Sequence, residues 1–83
     1  MQSGVKKILR WMFNKKIIGG KHTPEARVLQ MIHYLPKDEQ KITLNEYEEC
    51  IKQKQWIFRM KKTGARHVTL NPNMIDEIAR EIE

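Results

Sequence analysis

The side chains best suited to chemistry are the cations of one stretch, residues 55–72. Within it, residues 56–61 and 66–71 alternate apolar and polar side chains, which is the pattern of two half-buried strands. Gly64 lies between them and accepts the positive φ of a tight hairpin turn. Positive charges surround this turn at Arg59, Lys61, Lys62 and Arg66. These cations can neutralise phosphate groups, which gives affinity for a polyanion without sequence information, and Thr63 can add a phosphate contact.

Residue types typical of catalysis or metal binding are few and scattered. The histidines and the single cysteine show no spacing of a zinc site; they are His22, His33, His67 and Cys50. Gly19-Gly20 lacks the preceding strand and the lysine-serine pair of a phosphate-binding loop. The glutamates of residues 46–49 are predicted on a helix surface rather than in a cleft. We therefore predict neither an enzyme nor a protein that holds a metal or other cofactor.

Charge is unevenly distributed along the 83 residues, which carry a net charge of +6. Residues 1–22 contain six basic and no acidic side chains, whereas residues 23–83 contain ten of each. The last segment, residues 73–83, is acidic. A basic arm together with a basic hairpin suits a polyanionic partner. Charge that serves only solubility is the alternative.

The chain has the features of a small intracellular domain. A single cysteine cannot form an internal disulfide, and no apolar run approaches the roughly 20 residues of a membrane span. The N-terminus lacks the apolar segment of a secretory signal. We therefore expect a cytoplasmic protein with no membrane partner.

The N-terminal segment predicts an amphipathic helix over residues 4–18. Its apolar side carries Val5, Ile8, Leu9, Met12, Phe13 and Ile17. Lys7 and Arg10 lie on the opposite side and are candidate contacts for a nucleic acid. Gly19-Gly20 is predicted to end the helix and to act as a flexible joint. We therefore expect a basic helix and joint over residues 1–22, followed by a domain over residues 23–83.

Two proline signals delimit the next segment. Thr23-Pro24 combines a capping side chain with a first-turn proline, and it predicts a helix over residues 23–35. Pro36 disfavours helical geometry in the residue before it and is predicted to end that helix. A short helical turn over residues 36–41 is expected to follow.

Two further cap signals predict the last helices. Thr43 and Glu46 form a capping box that is predicted to start a helix over residues 43–54. Asn71-Pro72 is predicted to start a final helix over residues 72–83. The expected core consists of Val28, Ile32, Leu44, Tyr47, Ile51, Phe58, Val68 and Leu70.

The order of these elements over residues 23–71 resembles the winged helix-turn-helix family, and small archaeal-type regulators look similar. The resemblance is carried by the run Tyr47-x-x-x-Ile51-x-x-x-Gln55-Trp56-Ile57, by the basic hairpin and by the run Val68-Thr69-Leu70-Asn71-Pro72. It implies an α+β fold with a three-helix core and a C-terminal β-hairpin wing, here flanked by N- and C-terminal helices. Gln55 stands where many family members have a glycine after the third helix.

The resemblance also implies that the chain binds duplex DNA as a transcriptional regulator, with its third helix in the major groove and its wing on the backbone. Lys52, Gln53 and Lys54 are the expected contacts from the third helix. The expected contacts from the wing and the arm are Arg59, Lys61, Lys62, Thr63, Arg66, Lys7 and Arg10.

Other functions and a further partner stay open at the level of sequence. A winged-helix scaffold can also serve as a protein–protein assembly module, and the acidic helices suit that use. RNA is a further candidate, because nothing in the sequence separates readers of A-form and B-form helices. The hairpin can also be an ordinary solvated ribbon whose lysines discourage edge pairing. The wide apolar stripe of residues 4–18 predicts a homodimer through residues 4–18 and 72–83.

Overall fold

Four α-helices and a small antiparallel sheet make up the computed structural model, which describes residues 3–83. Residues 1 and 2 of the predicted segment 1–22 lie outside the described part of the chain. The elements run α1 (Ser3–Asn14), β1 (Thr23–Pro24), α2 (Glu25–His33), α3 (Lys37–Lys52), β2 (Ile57–Lys62), β3 (Ala65–Leu70), a 3-10 turn (Pro72–Met74) and α4 (Ile75–Ile82). The chain therefore has the predicted α+β class. None of the described helices is long and apolar enough to cross a membrane.

The sheet has three antiparallel strands in the order β1-β3-β2. β2 and β3 form the predicted hairpin, with pairs that run from Ile57–Leu70 to Lys62–Ala65. Thr63 and Gly64 connect the strands with φ values of 46° and 83°. A two-residue hairpin turn of type I′ requires positive φ at both of these positions. The predicted hairpin is thus confirmed, with each strand displaced by one residue toward the turn.

Helix α1 ends at Asn14, four residues before the predicted end, and the two glycines do not stop it. The stop lies at Lys16, which has a left-handed φ of 57°. The Lys16 N–H donates to the Phe13 carbonyl at 3.0 Å and the Ile17 N–H to the Met12 carbonyl at 2.9 Å. These two bonds satisfy carbonyls that the helix end would otherwise leave free.

The chain after α1 runs beside the end of β3. The Leu70 N–H donates to the Ile17 carbonyl at 2.9 Å, and the Gly19 N–H donates to the Leu70 carbonyl at 3.0 Å. Gly19 has a φ of 63°, so the predicted joint does contain a left-handed turn. It is held to β3 by the hydrogen bond between Gly19 and Leu70 and is not a free joint.

The start of α2 differs from the prediction that Thr23 is a helix cap. Thr23 and Pro24 form β1 instead, with Thr23 opposite Val68 on β3, and the helix begins at Glu25. The same two residues suit an edge strand, because threonine favours extended backbone and proline lacks the N–H that an inner strand needs. Thr23 is accordingly buried.

Helix α3 is one continuous helix of 16 residues, so the predicted turn over 36–41 and the predicted start at Thr43 are both wrong. Thr43 lies in mid-helix and is 1% exposed, packed where α1 approaches most closely. Gly4 on α1 makes that approach possible, because a Cβ atom there would collide with the Thr43 side chain. Pro36 lies between α2 and α3 and is the N-cap residue of α3, so α2 ends before this proline as predicted, and α3 begins directly after it.

The core is formed by side chains from all four helices and from β2 and β3. Of the predicted core residues, Val28, Ile32, Tyr47, Val68 and Leu70 are buried, Ile51 is partly buried, and Leu44 and Phe58 are about two-fifths exposed at 40% and 41%. The apolar stripe of α1 is covered within the same core, at Val5, Ile8, Leu9 and Met12. Cys50 is fully buried, and burial raises the pKa of its thiol to about 12.

The inward face of β2 is opposite to the predicted one. Ile57 is fully buried while Phe58 is 41% exposed, and the backbone before the strand contains a left-handed turn at Gln55 (φ 56°). Asn71 acts as the predicted cap, since its side chain accepts from the Asn73 N–H at 3.0 Å, although the first turn after it is 3-10 rather than α.

Candidate nucleic-acid interface

The tip of the β2–β3 hairpin presents its cations on both faces. The tip consists of Lys61, Lys62, Thr63 and Arg66, and all four side chains are exposed. Lys61 pairs with Arg66 across the strands, so these two side chains share the face that carries Arg59 nearer the core. Lys62 lies opposite Ala65 on the other face. The structure therefore brings four of the predicted contacts together at one end of the ribbon.

Arg59 is not part of that exposed set, contrary to the sequence-based expectation. Its guanidinium donates to Glu48 on α3 through Nη2 at 2.6 Å and through Nη1 at 3.3 Å. Its Nε donates to Glu25 on α2 at 2.8 Å. Only 22% of the Arg59 side chain is exposed. We therefore reassign Arg59 from a phosphate contact to an internal ion-pair residue.

Glu25 is the buried centre of this network. Its side chain is 4% exposed, and its Oε2 accepts from the Tyr47 hydroxyl at 2.7 Å as well as from Arg59. Burial, together with this hydrogen bond to Glu25, raises the pKa of the Tyr47 phenol, so tyrosine stays protonated and donates. A buried carboxylate without such partners would carry a desolvation penalty of several kcal/mol.

The network attaches the ribbon to two helices at once. The hydrogen bond from Arg59 lowers the pKa of Glu48, and the hydrogen bond to Glu48 raises the pKa of Arg59, so both groups stay charged at neutral pH. Arg66 adds a weaker contact to Glu25 at 3.8 Å, with 65% of its side chain exposed. The base of the hairpin is thereby held against α2 and α3, and the orientation of the tip follows from that attachment.

Sequence reasoning missed Glu25 and Glu48 because it treated each charge as solvent-exposed. A signal was present, since Arg59 is the one cation between the apolar residues Ile57, Phe58 and Met60, where an unpaired charge would be costly. The partner residues could not be identified, because they lie 34 and 11 positions away along the chain.

The expected contacts at the C-terminal end of α3 are exposed but differ in their surroundings. Lys52 extends into solvent with its Nζ 3.8 Å from Glu48, and Gln53 is the C-cap residue of the helix. Lys54 lies outside the helix with its Nζ 5.0 Å from the centre of the Trp56 ring. Lys52 and Gln53 therefore lie at the C-terminal end of α3, while Lys54 belongs to the turn that leads into β2.

Of the two expected contacts on α1, Arg10 is bound to the acidic helix α4. Arg10 Nη2 donates to the Ile82 carbonyl at 2.7 Å, at the end of α4 where the helix dipole favours a cation. Lys7 is exposed on the outer side of α1. The structure thus ties Arg10 to α4 and not to the hairpin tip.

Two lysines at the start of α3 were absent from the sequence-based site. Lys37 and Lys41 are exposed and line a groove between α2 and α3. They were missed because the predicted helix began at Thr43 and left both in a separate turn. Asn45 follows one turn later on the outer surface of α3.

Residues typical of a metal site are not assembled in the described part of the chain, which holds no group of three or more His, Cys, Asp or Glu able to bind one. His22 and His67 do meet, with their Nδ1 atoms 2.8 Å apart and their rings edge to face. Comparisons with protein-family models, with curated proteins and with solved structures give no match. The function of this protein is therefore inferred from its own geometry.

Proposed function

We propose that this protein binds duplex DNA through the outer surface of α3 and the tip of the β2–β3 hairpin, in the manner of a winged helix-turn-helix domain that acts as a transcriptional regulator. One observation carries the proposal. Arg59 bridges α2 and α3 to the base of the ribbon, while the cations at its tip remain exposed. A helix and a cationic ribbon held in one orientation are the two elements that can engage a groove and the adjacent backbone together.

The order of the elements supports the winged-helix assignment. α2 and α3 are joined by residues 34–36, the short connection typical of a helix-turn-helix. The hairpin follows α3, and β1 adds a third strand on the far side of β3. In this arrangement α1 is the first core helix rather than a separate arm, because its apolar stripe is covered within the chain.

The charges of the interface favour a phosphate backbone over a protein partner at the tip. Lys61, Lys62 and Arg66 are three cations close to one turn, with the Thr63 hydroxyl and the backbone amides of the turn as additional donors. Cations of this kind provide affinity and salt dependence rather than base recognition. Any base recognition would come from α3, where Asn45, Lys52 and Gln53 are exposed.

The proposal is tested by titrating a labelled random-sequence duplex with the wild type and with a variant that carries K61Q, K62Q and R66Q. We expect weaker binding of every duplex, and a salt dependence whose logarithmic slope falls by about 0.9 for each phosphate group that the variant no longer neutralises. Single-stranded DNA and duplex RNA are titrated in parallel. Tighter binding of duplex RNA than of DNA would assign the surface to RNA.

A matched control removes three lysines elsewhere through K15Q, K16Q and K21Q, which leaves the same net charge as the tip variant. These lysines flank the segment that pairs with Leu70, five residues along β3 from Ala65 and thus about 17 Å from the turn. We expect this control to bind DNA almost as the wild type does. Equal losses of affinity in both variants would show that overall charge, and not the tip, attracts DNA.

A homodimer through residues 4–18 and 72–83 stays a prediction. The apolar stripe from which it was inferred is covered within the chain, so a dimer would have to use the outer surfaces of α1 and α4. Sedimentation of the wild type at micromolar concentration distinguishes a 10.0 kDa species from one of twice that mass.

A further inference from the structure

A groove between α2 and α3 combines an apolar floor with a cationic rim. Its volume is about 450 Å³, within the range of sites that accommodate small ligands or several side chains. The floor contains Ile32 with Leu29 and Leu44, which are 41% and 40% exposed. The remaining lining residues are His33, Lys37, Gln40 and Lys41.

The exposure of the two leucines distinguishes this groove from the rest of the candidate interface. A single exposed leucine is ordinary on a protein surface, but two that share one concave site form an apolar patch that favours a partner. Lys37, Gln40 or Lys41, and Leu44 follow one another at the spacing of a single helix face. From Lys37 to Leu44 that face spans eight residues, or about 10 Å along α3, which matches two turns of a docked helix.

The charge of the groove defines the chemistry of its partner. Its rim has two exposed lysines, and none of the described residues that line it carries a carboxylate. An occupant must therefore combine negative charge with large aliphatic side chains. A nucleic acid supplies the charge but offers the leucines only sugar carbons and thymine methyl groups, whereas an acidic amphipathic helix supplies charge and large aliphatic side chains.

We propose that this groove binds an acidic amphipathic helix of a partner protein, with aliphatic side chains on Leu29 and Leu44 and carboxylates beside Lys37 and Lys41. This interaction goes beyond the proposed DNA binding by the tip and the exposed residues Asn45, Lys52 and Gln53, because it uses α2 and the first two turns of α3. It gives the chain a means to recruit a second protein while the tip stays on the backbone. The mode is that of a helix in a groove, with charge pairs at the rim that direct orientation.

The experiment uses the full chain and a synthetic helical peptide of about 14 residues, with leucines on one face and glutamates on the others. Amide and methyl chemical shifts are followed as the peptide is added. We expect the shifts to concentrate on Leu29, Leu44 and their neighbours in the groove. A second peptide, in which lysines replace the glutamates, is expected to bind at least about ten-fold more weakly.

Two variants and two controls complete the test. K37E with K41E is expected to weaken binding of the acidic peptide at least about ten-fold, and K15E with K21E, which changes the net charge equally, to leave it almost unchanged. L29S with L44S tests whether the apolar floor contributes to binding of the acidic peptide, and circular dichroism checks that this variant folds. Because the shifts are mapped on the wild type, the test stands even where a variant does not fold.

Three results would overturn the proposal. The first is equal binding of the acidic and basic peptides, and the second is equal binding of a scrambled acidic peptide, which would indicate charge alone. The third combines two observations. Duplex DNA shifts the resonances of the groove residues, and the variant with K37E and K41E loses as much DNA affinity as the tip variant does. That result would assign the groove to the nucleic acid. If the tip variant binds DNA normally while the peptide still maps to the groove, the DNA proposal fails and this one stands.

Discussion

The base and the tip of the β2–β3 hairpin contain the same kinds of side chain and use them in opposite ways. At the base, Arg59 is held between two carboxylates with 22% of its side chain exposed. At the tip, Lys61, Lys62 and Arg66 extend into solvent. The positions differ by only a few residues along one ribbon. Distance from the helices, and not residue type, decides whether a cation holds the fold together or remains available to a partner.

The positions of the two side chains along the ribbon explain the contrast. Arg59 and Lys61 point to the same face, since they are two residues apart on β2. Arg59 lies opposite Val68, where its side chain reaches carboxylates of α2 and α3. Lys61 lies opposite Arg66, which contacts Glu25 only at 3.8 Å and keeps 65% of its side chain exposed. Four sets of substitutions separate the two regions, from the largest expected effect to the smallest.

Replacing Arg59 by alanine should have the largest effect, because it leaves the buried Glu25 carboxylate with only the weaker ionic contact to Arg66 at 3.8 Å. We expect the free energy of unfolding to fall by roughly 3–5 kcal/mol, as for other buried ion pairs that lose one partner. Urea denaturation at pH 7 measures it. K61A, one step along the same face at the tip, should change stability by less than about 0.5 kcal/mol. Equal effects of the two substitutions would remove the distinction between base and tip.

Tyr47→Phe should have an intermediate effect, because it removes one hydrogen-bond donor from the buried carboxylate and leaves the ion pair. A hydrogen bond to a charged group contributes roughly 1.5–3 kcal/mol, and we expect a loss of unfolding free energy in that range. Thermal and urea denaturation give the value. A double variant with Arg59→Ala should lose less than the sum, since both side chains serve Glu25.

The turn offers a substitution that alters the tip without a change of charge. Thr63 is a β-branched residue at a φ of 46°, whereas asparagine tolerates that conformation and is preferred in this turn. T63N should therefore raise stability by about 0.5–1 kcal/mol, and G64A, at a φ of 83°, should lower it by about 1–2 kcal/mol. DNA affinity should respond little to T63N, because the three cations remain. A loss of affinity in T63N comparable to that of the tip variant would assign binding to the threonine hydroxyl.

The smallest effect is the loss of the stability contributed by Glu48 as the pH is lowered. The hydrogen bond from Arg59 lowers the folded-state pKa of Glu48 below its ordinary value of 4.5, so the pair contributes stability above that pH. The contribution is lost as the pH falls through the depressed pKa. We expect the stability difference between wild type and E48Q to be small at pH 7 and to vanish toward pH 3, as urea titrations over that range would show. A difference that grew in acid would contradict the assignment.

Sequence reasoning identified the elements better than their limits. The hairpin was predictable because period-two alternation and a turn glycine are local signals. The start of α3 was not, because Thr43 and Glu46 match a capping box although Thr43 packs against Gly4 on another helix. Helix α1 also ends earlier than its periodicity suggested, since Ile17 is needed beside Leu70. Each error has the same origin, which is a tertiary contact stronger than the local preference.

The candidate site likewise has features that the sequence predicted and features that it did not. Exposure of Lys61, Lys62, Thr63 and Arg66 followed from their place around a turn. The fate of Arg59 could not be foreseen, because it depends on carboxylates from α2 and α3. The groove was also hidden, since it exists only when Leu29 and Leu44 face each other across two packed helices.

The buried thiol of Cys50 provides a way to measure how often the folded protein opens. It is the only thiol in the sequence and is fully buried in the last turn of α3. A thiol reagent can therefore react only when the interior opens, and the labelling rate reports how often that happens under native conditions. Adding duplex DNA or the acidic peptide should slow the reaction, because ligands that bind the folded state suppress opening. Binding of DNA and binding of the peptide can each be measured as slower labelling of Cys50, a residue that neither ligand contacts.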